Sequence, residues 1–247
     1  MTIAEKLTAI AENEQRVYDT GYMRGSNDGY VQGEEAGKRA EYDAFWDAYQ
    51  QNGNRQEYSY AFAGRGWTDD ILKPKYDIRP TNCMYMFANA RGLVDVEEAF
   101  LRAGIVLDTS NATDFTNFLL TNTTVKKMPM IDISNASSVV NLFSQATELR
   151  SVKLTVSERV TFADSFNVCN SLSDVEIVGV IGTSINFMWS PLSKESIKNI
   201  INHLSDTVTG KTLTLSKAAK EAAFPTEAEW QDFLTGADKG NWTFSLV

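Results

Sequence analysis

The sequence predicts an α/β solenoid of stacked repeats, preceded by a helical arm and closed by a small α/β cap. The segment from Leu107 to Ala112 is matched 24 positions later, without a gap, by the segment from Ile131 to Ala136. A large apolar residue, followed three positions later by a smaller one, also recurs through residues 54–190. Similarity at a fixed period indicates stacked units, because a single unit of this size cannot bury its own apolar face.

The repeated residues define a register for the stack. Their spacing suits a short helical turn followed by a short strand in each unit. Met128, Val152 and Val175 occupy equivalent positions in three successive units, so we expect them to stack in one buried column. Trp189 lies 23 residues after Phe166 and is expected to start a sixth unit. The large residues of the first five units are Phe62, Phe87, Leu119, Phe143 and Phe166.

Residues 1–53 are predicted to form a helical arm for oligomerisation or attachment. Apolar residues form a short, imperfect coiled-coil seam, and glycines then recur at every fourth position. Each glycine costs a lone helix about 1 kcal/mol relative to alanine, so this stretch is either a flexible arm or a stripe at which neighbouring backbones approach closely. Self-association accounts for both features, and we expect a homo-oligomer. The residues assigned to this contact are Ile3, Leu7, Ile10, Val17, Gly21, Gly25, Gly29, Gly33 and Gly37.

Residues 191–247 are predicted to form the small α/β cap. A strand is expected at 213–215, and the pair Thr226 and Glu229 has the spacing of a capping box that opens a helix. A final strand begins at Trp242. The first helix of the cap is expected to bury one face, formed by Ile197, Ile200, Ile201 and Leu204.

Composition limits the classes of partner. The net charge of −9 and the absence of any run of Lys and Arg argue against binding to nucleic acid or to an anionic membrane. The longest apolar stretches are far shorter than the roughly 20 residues that span a bilayer, and the first residues lack the apolar core of a signal peptide. We therefore expect neither membrane insertion nor export. Cys83 and Cys169 lack metal-ligand spacing and are expected to be buried free thiols.

No residue pattern indicates a reaction mechanism, so the sequence predicts a protein that is not an enzyme and uses no cofactor or metal. The only histidine, His203, has no nucleophile motif beside it. Asp108 and Asp132 are expected to lie in neighbouring units, but the equivalent residue of the next unit is Thr155. Turn capping by Asp, Ser and Asn side chains therefore explains the repeated block better than a bound ion does.

The ladder Phe-x-x-Ala/Cys-x-x-Leu-x-x-Val-x-Leu, over about residues 58–190, resembles the BspA-like class of bacterial leucine-rich repeats. The opening Met-Thr-Ile-Ala-Glu-Lys-Leu, the helix from Glu41 to Gly53 and the closing Trp-Thr-Phe-Ser-Leu-Val resemble repeat proteins encoded among tail genes of phages and prophages of gut bacteria. The resemblance implies a leucine-rich-repeat solenoid in a phage tail or baseplate, made in the host cytoplasm. A trimer is expected only by analogy with threefold tail appendages.

The predicted function is a non-enzymatic structural or receptor-binding protein of the virion, whose surface binds another virion protein or a host-surface protein or glycan. The alternative is a bacterial cell-surface adhesin of the BspA-like class, and the lack of a signal peptide favours the virion. A glycan hydrolase is the third choice and would need paired carboxylates in a cleft. On each strand, the residues between the buried ones face outward. The candidate contact residues are Lys127, Ser151, Lys153, Thr155, Asp174 and Glu176.

Overall fold

The chain divides into two units after Asn54. In the first unit, residues 46–49 are helical and Gln51–Gly53 forms a 3-10 helix. The predicted coiled-coil seam and glycine stripe, from Ile3 to Gly37, lie outside the described residues. The computed structural model describes residues 44, 46–64, 67–69, 72–136 and 138–247.

The unit from Arg55 onward is a mixed α/β structure, and every strand pair among its described residues is parallel. The helices are α1 (Val96–Ala103), α2 (Lys194–Asn202), α3 (Lys217–Ala223) and α4 (Glu227–Ala237). The strands are β1 (Ile131–Asp132), β2 (Ser138–Val140), β3 (Ser151–Val156), β4 (Thr161–Ala163), β5 (Asp174–Gly179), β6 (Ile185–Phe187), β7 (Lys211–Leu215) and β8 (Trp242–Leu246). They form three small sheets, ordered β1-β3-β5, β2-β4 and β6-β7-β8.

The predicted leucine-rich-repeat solenoid is wrong for this protein. A solenoid with one helical turn and one strand in each unit would place all of its strands in one narrow parallel sheet. The strands instead lie in three separate sheets of three, two and three strands. The described segments around the repeated large residues are runs of tight turns and contain no helix.

Left-handed backbone conformations explain why these segments are not helical. Tyr85 and Asn89, two residues before and after Phe87, have φ angles of 54° and 55°. The amides of these three residues donate to carbonyls of the next segment over 2.8 to 3.0 Å. The left-handed pairs of the five segments are Tyr60 and Gly64, Tyr85 and Asn89, Asn117 and Thr121, Asn141 and Gln145, and Asp164 and Val168. An α-helix, whose amides bond four residues back within one segment, is thereby excluded.

The predicted register of three units is confirmed. Val152 pairs directly with Val175 in the ladder of β3 and β5. A bridge between Lys127 and Ser151 places Met128 beside Val152. Met128, Val152 and Val175 are each at most 3% exposed, so the expected column is buried.

An extra residue interrupts the ladder on the β1 side. The bridged residues Lys127 and Ser151 are 24 positions apart, whereas the paired residues Ile131 and Leu154 are 23 positions apart. Pro129, which has no amide hydrogen to donate, lies in the interrupted stretch. This irregularity limits β1 to two residues and separates it from the bridge at Lys127.

A column of buried phenylalanine rings runs through the turn segments, with successive ring centroids 4.3 to 6.5 Å apart. In the third segment Leu119 is buried as predicted, but its neighbour Phe118 supplies the ring. At the far end Phe187 continues the column, and Trp189 is 48% exposed. The expectation that Trp189 starts a sixth unit is therefore wrong. The rings belong to Phe62, Phe87, Phe118, Phe143, Phe166 and Phe187.

Helix α1 is an insertion that the repeat pattern did not predict. Val96, which lies nine residues after Phe87 as Val152 does after Phe143, is the first residue of this helix. The side chain of Asp95 accepts a hydrogen bond from the amide of Glu98, and Gly104 ends the helix with a φ of 68°. Both are standard helix-capping arrangements.

The predicted elements near the carboxyl end are confirmed. Strands β7 and β8 cover the expected segments, and Thr226 and Glu229 form the capping box at the start of α4. β6 pairs with β7, so its sheet crosses the predicted boundary at residue 190. The expected apolar residues of the first cap helix are all buried, namely Ile197, Ile200, Ile201 and Leu204.

Candidate binding groove

An open groove of about 520 Å³ lies over the outward face of β3 and β5. β3 contributes Ser151 and Lys153 to its lining, and β5 contributes Asp174 and Glu176. These residues alternate with the buried valines, because successive side chains of a strand point to opposite faces. The structure therefore brings four of the six predicted contact residues together.

Lys127 and Thr155 lie beside the groove and do not line it. Lys127 is bridged to Ser151 and continues the outward row toward the preceding unit. Thr155 pairs with Val178 on β5, and its hydroxyl lies 3.8 Å from the Sδ of Met130. Because the side chains of Val178 and Met130 are exposed, this end of the surface is more apolar than the groove.

Helix α2 forms the second wall of the groove, which the sequence did not predict. Its lining residues are Glu195, Ser196, Lys198, Asn199 and Asn202. The polar residues at 196, 199 and 202 recur at three-residue spacing, which places them on one side of the helix. This polar stripe could have predicted which side of the helix faces the groove, but it does not indicate which strand the helix contacts.

Two side chains of α2 close the outer edge of β5. Ser196 Oγ accepts a hydrogen bond from the amide of Val175 at 2.8 Å and donates to the carbonyl of Ser173 at 2.9 Å. Asn199 Oδ1 accepts from the amide of Ile177 at 2.7 Å. Buried backbone amides need hydrogen-bond acceptors. Here the side chains of a helix supply the acceptors that a further strand would otherwise supply. These bonds fix the position of the groove wall relative to the strands.

Charges of both signs line the groove. Lys153 Nζ lies 3.2 Å from Glu176 Oε2 across the ladder, and the two side chains are 50% and 54% exposed. On the helix wall, Lys198 Nζ lies 4.0 Å from Glu195 Oε1. Exposed pairs of this kind contribute at most about 1 kcal/mol, because water competes for both charges. A ligand can therefore replace these contacts at little cost.

No protein-family model, curated protein or solved structure significantly matches this chain. Within the described residues, no helix is long and apolar enough to cross a membrane. Functional interpretation therefore rests on the geometry of the groove and on the groups around it.

The cysteines and the histidine are engaged away from the groove face. Cys83 and Cys169 are buried free thiols, as predicted. Burial raises the pKa of Cys169 to about 12 and also raises the pKa of Cys83. Both thiols therefore stay protonated near neutral pH. His203 Nδ1 lies 2.8 Å from the carbonyl oxygen of Asn199, so one ring nitrogen is held at the end of α2.

The aspartates of the repeated block cap turns, as predicted. Asp108 Oδ1 accepts hydrogen bonds from the amide and the hydroxyl of Ser110, at 3.1 and 2.6 Å, and these bonds lower the pKa of the Asp108 carboxyl. Asp132 Oδ1 accepts in the same way from the amide of Ser134 at 2.9 Å. Across the described part of the chain, no group of three or more His, Cys, Asp and Glu side chains is placed to hold a metal ion.

A second open pocket, of about 440 Å³, lies beside the loop that follows α2. The hydroxyls of Ser205 and Thr207 donate to Glu158 Oε1, which lowers the pKa of the Glu158 carboxyl. The buried Lys239 donates to the carbonyl of Leu204 at 2.7 Å. These contacts hold the loop in place, so we interpret this network as structural.

Proposed function

We propose that the protein is a non-enzymatic component of a phage tail or baseplate, and that the groove over β3, β5 and α2 binds a protein or a glycan. The observation that carries the proposal is the grouping of Ser151, Lys153, Asp174 and Glu176 on two paired strands, opposite the polar face of a helix. Side chains presented by rigid elements need little ordering when a ligand binds, which favours recognition.

The groups around the groove support binding over catalysis. Asp174, Glu176 and Glu195 are exposed, whereas a catalytic acid is usually a carboxyl whose pKa is raised by burial. The Ser196 hydroxyl is hydrogen-bonded to the backbone of Val175 on β5 and to that of Ser173, so its role is structural. These features favour a contact surface for a partner.

The assignment to a virion rests on the resemblance of the two ends of the chain to repeat proteins encoded among phage tail genes. In that setting the partners are a second copy of the protein, another virion protein, or a protein or glycan on the host surface. Antibodies to the protein should label the tails of phage particles produced from the encoding genome. Labelling of the bacterial surface without such particles would favour the adhesin instead, and neighbouring export genes would favour it too.

The double substitution Lys153→Ala with Glu176→Ala tests the groove. We expect binding of the fluorescently labelled full chain to intact host cells to fall about tenfold, the loss of roughly 1.4 kcal/mol. Both side chains are about half exposed, so the melting temperature should stay nearly unchanged. Flow cytometry and a thermal melt measure the two quantities.

The ion pair of Lys217 and Glu221 on α3 provides a matched control. Their charged atoms lie 3.9 Å apart, both side chains are exposed, and neither lines the groove. Lys217→Ala with Glu221→Ala should therefore leave binding at the level of the unsubstituted chain. If the groove variant also binds at that level, this surface is not the contact site.

A further inference from the structure

The outer edges of β5 and β8 differ. The edge of β5 is closed by the side chains of Ser196 and Asn199. β8 ends its sheet, with β7 on one side. An open strand edge presents unpaired amides and carbonyls, which favour pairing with another strand. Within the part of the chain that the structure describes, one edge is therefore closed by a helix and the other is open.

The direction of the backbone groups identifies which of them are unpaired. The amide of Val247 donates to the carbonyl of Leu215, and the amide of Lys217 donates to the carbonyl of Val247. Backbone groups of successive residues point to opposite sides of a strand, so those of Phe244 and Leu246 point away from β7. Among the described residues, no backbone carbonyl outside the sheet accepts a hydrogen bond from either of these two amides.

β8 also lacks the features that usually prevent edge pairing. Its sequence Trp-Thr-Phe-Ser-Leu contains no charged residue and no proline. Its register with β7 runs unbroken over five residue pairs, so no bulge bends the edge away. Leu246 is 38% exposed, and the following Val247 is 59% exposed. The edge is thus straight, neutral and partly apolar.

We propose that β8 pairs in an antiparallel manner with β8 of a second copy of this chain, about a twofold axis at Phe244. With this register, the Phe244 amides and carbonyls of the two copies bond each other. The amide of Leu246 then faces the carbonyl of Trp242 in the second copy. The Trp242 amide already donates to Lys239 within its own chain, at 3.0 Å. Both unpaired amides of each copy therefore meet a carbonyl of the other copy, and the Leu246 carbonyl stays open to water.

A second copy fits this edge because the strand is complementary to itself. Thr243 faces Ser245 of the second copy on one side of the joined sheet, and the two Phe244 side chains face each other on the opposite side. No like charges meet, and like charges directly opposite would destabilise the pair. A twofold contact also uses the same edge on both copies, so the joined sheet leaves no further open β8 edge.

Charge substitutions at Thr243 and Ser245 test the proposal in the full chain. Sedimentation velocity over a dilution series should show dimers that dissociate on dilution. Thr243→Lys with Ser245→Lys places lysine opposite lysine at both contacts, and we expect the dimer to be lost. Thr243→Lys with Ser245→Glu places lysine opposite glutamate at both contacts, and we expect the dimer to return.

The substituted positions leave the unpaired amides in place, and circular dichroism checks that each variant folds. If the two lysines prevent folding, Leu246→Pro replaces them as the disruptive variant, because it removes an amide that points away from β7. Association through residues 1–53 would raise the mass of the assembly, but the disruptive variant should still have half the mass of the unsubstituted assembly. An unchanged mass for that variant, a monomer at every concentration of the unsubstituted chain, or no recovery with the Lys and Glu pair would overturn the proposal.

Discussion

The amide of Ile177 donates a hydrogen bond to the Oδ1 of Asn199 at 2.7 Å, so a helix side chain occupies the place of a neighbouring strand. Two residues earlier on β5, Val175 makes the corresponding bond to Ser196 at 2.8 Å. Ser196 and Asn199 lie about one turn apart on α2. This spacing lets them reach Val175 and Ile177, which are two residues apart along the strand edge. The helix expected as a terminal cap is thereby also the wall of the groove.

Asn199→Ala should lower the free energy of unfolding by about 1 to 3 kcal/mol, because the buried amide of Ile177 would lose its acceptor. Urea denaturation followed by circular dichroism measures the change. Asn202→Ala, at an exposed position at the end of the same helix, should change this free energy by less than about 0.5 kcal/mol. Equal effects of the two substitutions would mean that the edge contact does not stabilise the fold.

Val168→Asn should stabilise the protein. Val168 has a φ of 56°, a left-handed conformation that costs a β-branched residue about 1 to 2 kcal/mol, whereas Asn adopts it more readily. Asn89 already occupies the equivalent position in the second unit. We expect a rise of about 2 to 4 °C in the melting temperature, measured by calorimetry. Val178→Asn, at an exposed position on β5, should give no rise.

Phe118→Ala should destabilise the fold by about 3 to 5 kcal/mol, because it removes a buried ring from the phenylalanine column. Trp189→Ala should have a much smaller effect, because the Trp189 side chain is about half exposed. Chemical denaturation of both variants measures the difference. A larger loss at Trp189 would restore that residue to the core position that its spacing suggested.

Glu158 should contribute stability that depends on pH. The hydroxyls of Ser205 and Thr207 hold the pKa of the folded carboxyl below its ordinary value. The stability that these hydrogen bonds contribute is therefore complete above the ordinary pKa of a glutamate, and it is lost as the pH falls through the lower pKa of the folded state. Glu158→Gln should be less stable than the unsubstituted chain at pH 7, with the difference shrinking below about pH 4.

Thr207→Val provides a second variant for the same contact, because it removes one of the two hydroxyls bonded to Glu158. Thermal melts from pH 7 to pH 3 should show a smaller pH-dependent loss for this variant than for the unsubstituted chain. Parallel stability profiles for the unsubstituted chain, Thr207→Val and Glu158→Gln would show that the contact does not stabilise the fold.

Local patterns predicted much of the candidate groove. The alternation along Ser151, Val152 and Lys153 fixes which side chains face outward, because the side-chain period of a strand is two residues. The second unit was predicted less well, since the spacing between Phe87 and Leu119 does not reveal that α1 is inserted between them.

The sequence by itself determined the register of the β3 and β5 units, the burial of the Met128, Val152 and Val175 column, and the elements near the carboxyl end. These features follow from short-range periodicity and from capping residues such as Thr226. Only the tertiary structure decided that the strands form three sheets and that α2 closes β5. The reason is physical: bonds between neighbouring segments hold the turn residues left-handed, and the contact of Asn199 with β5 joins parts of the chain whose proximity no local pattern encodes.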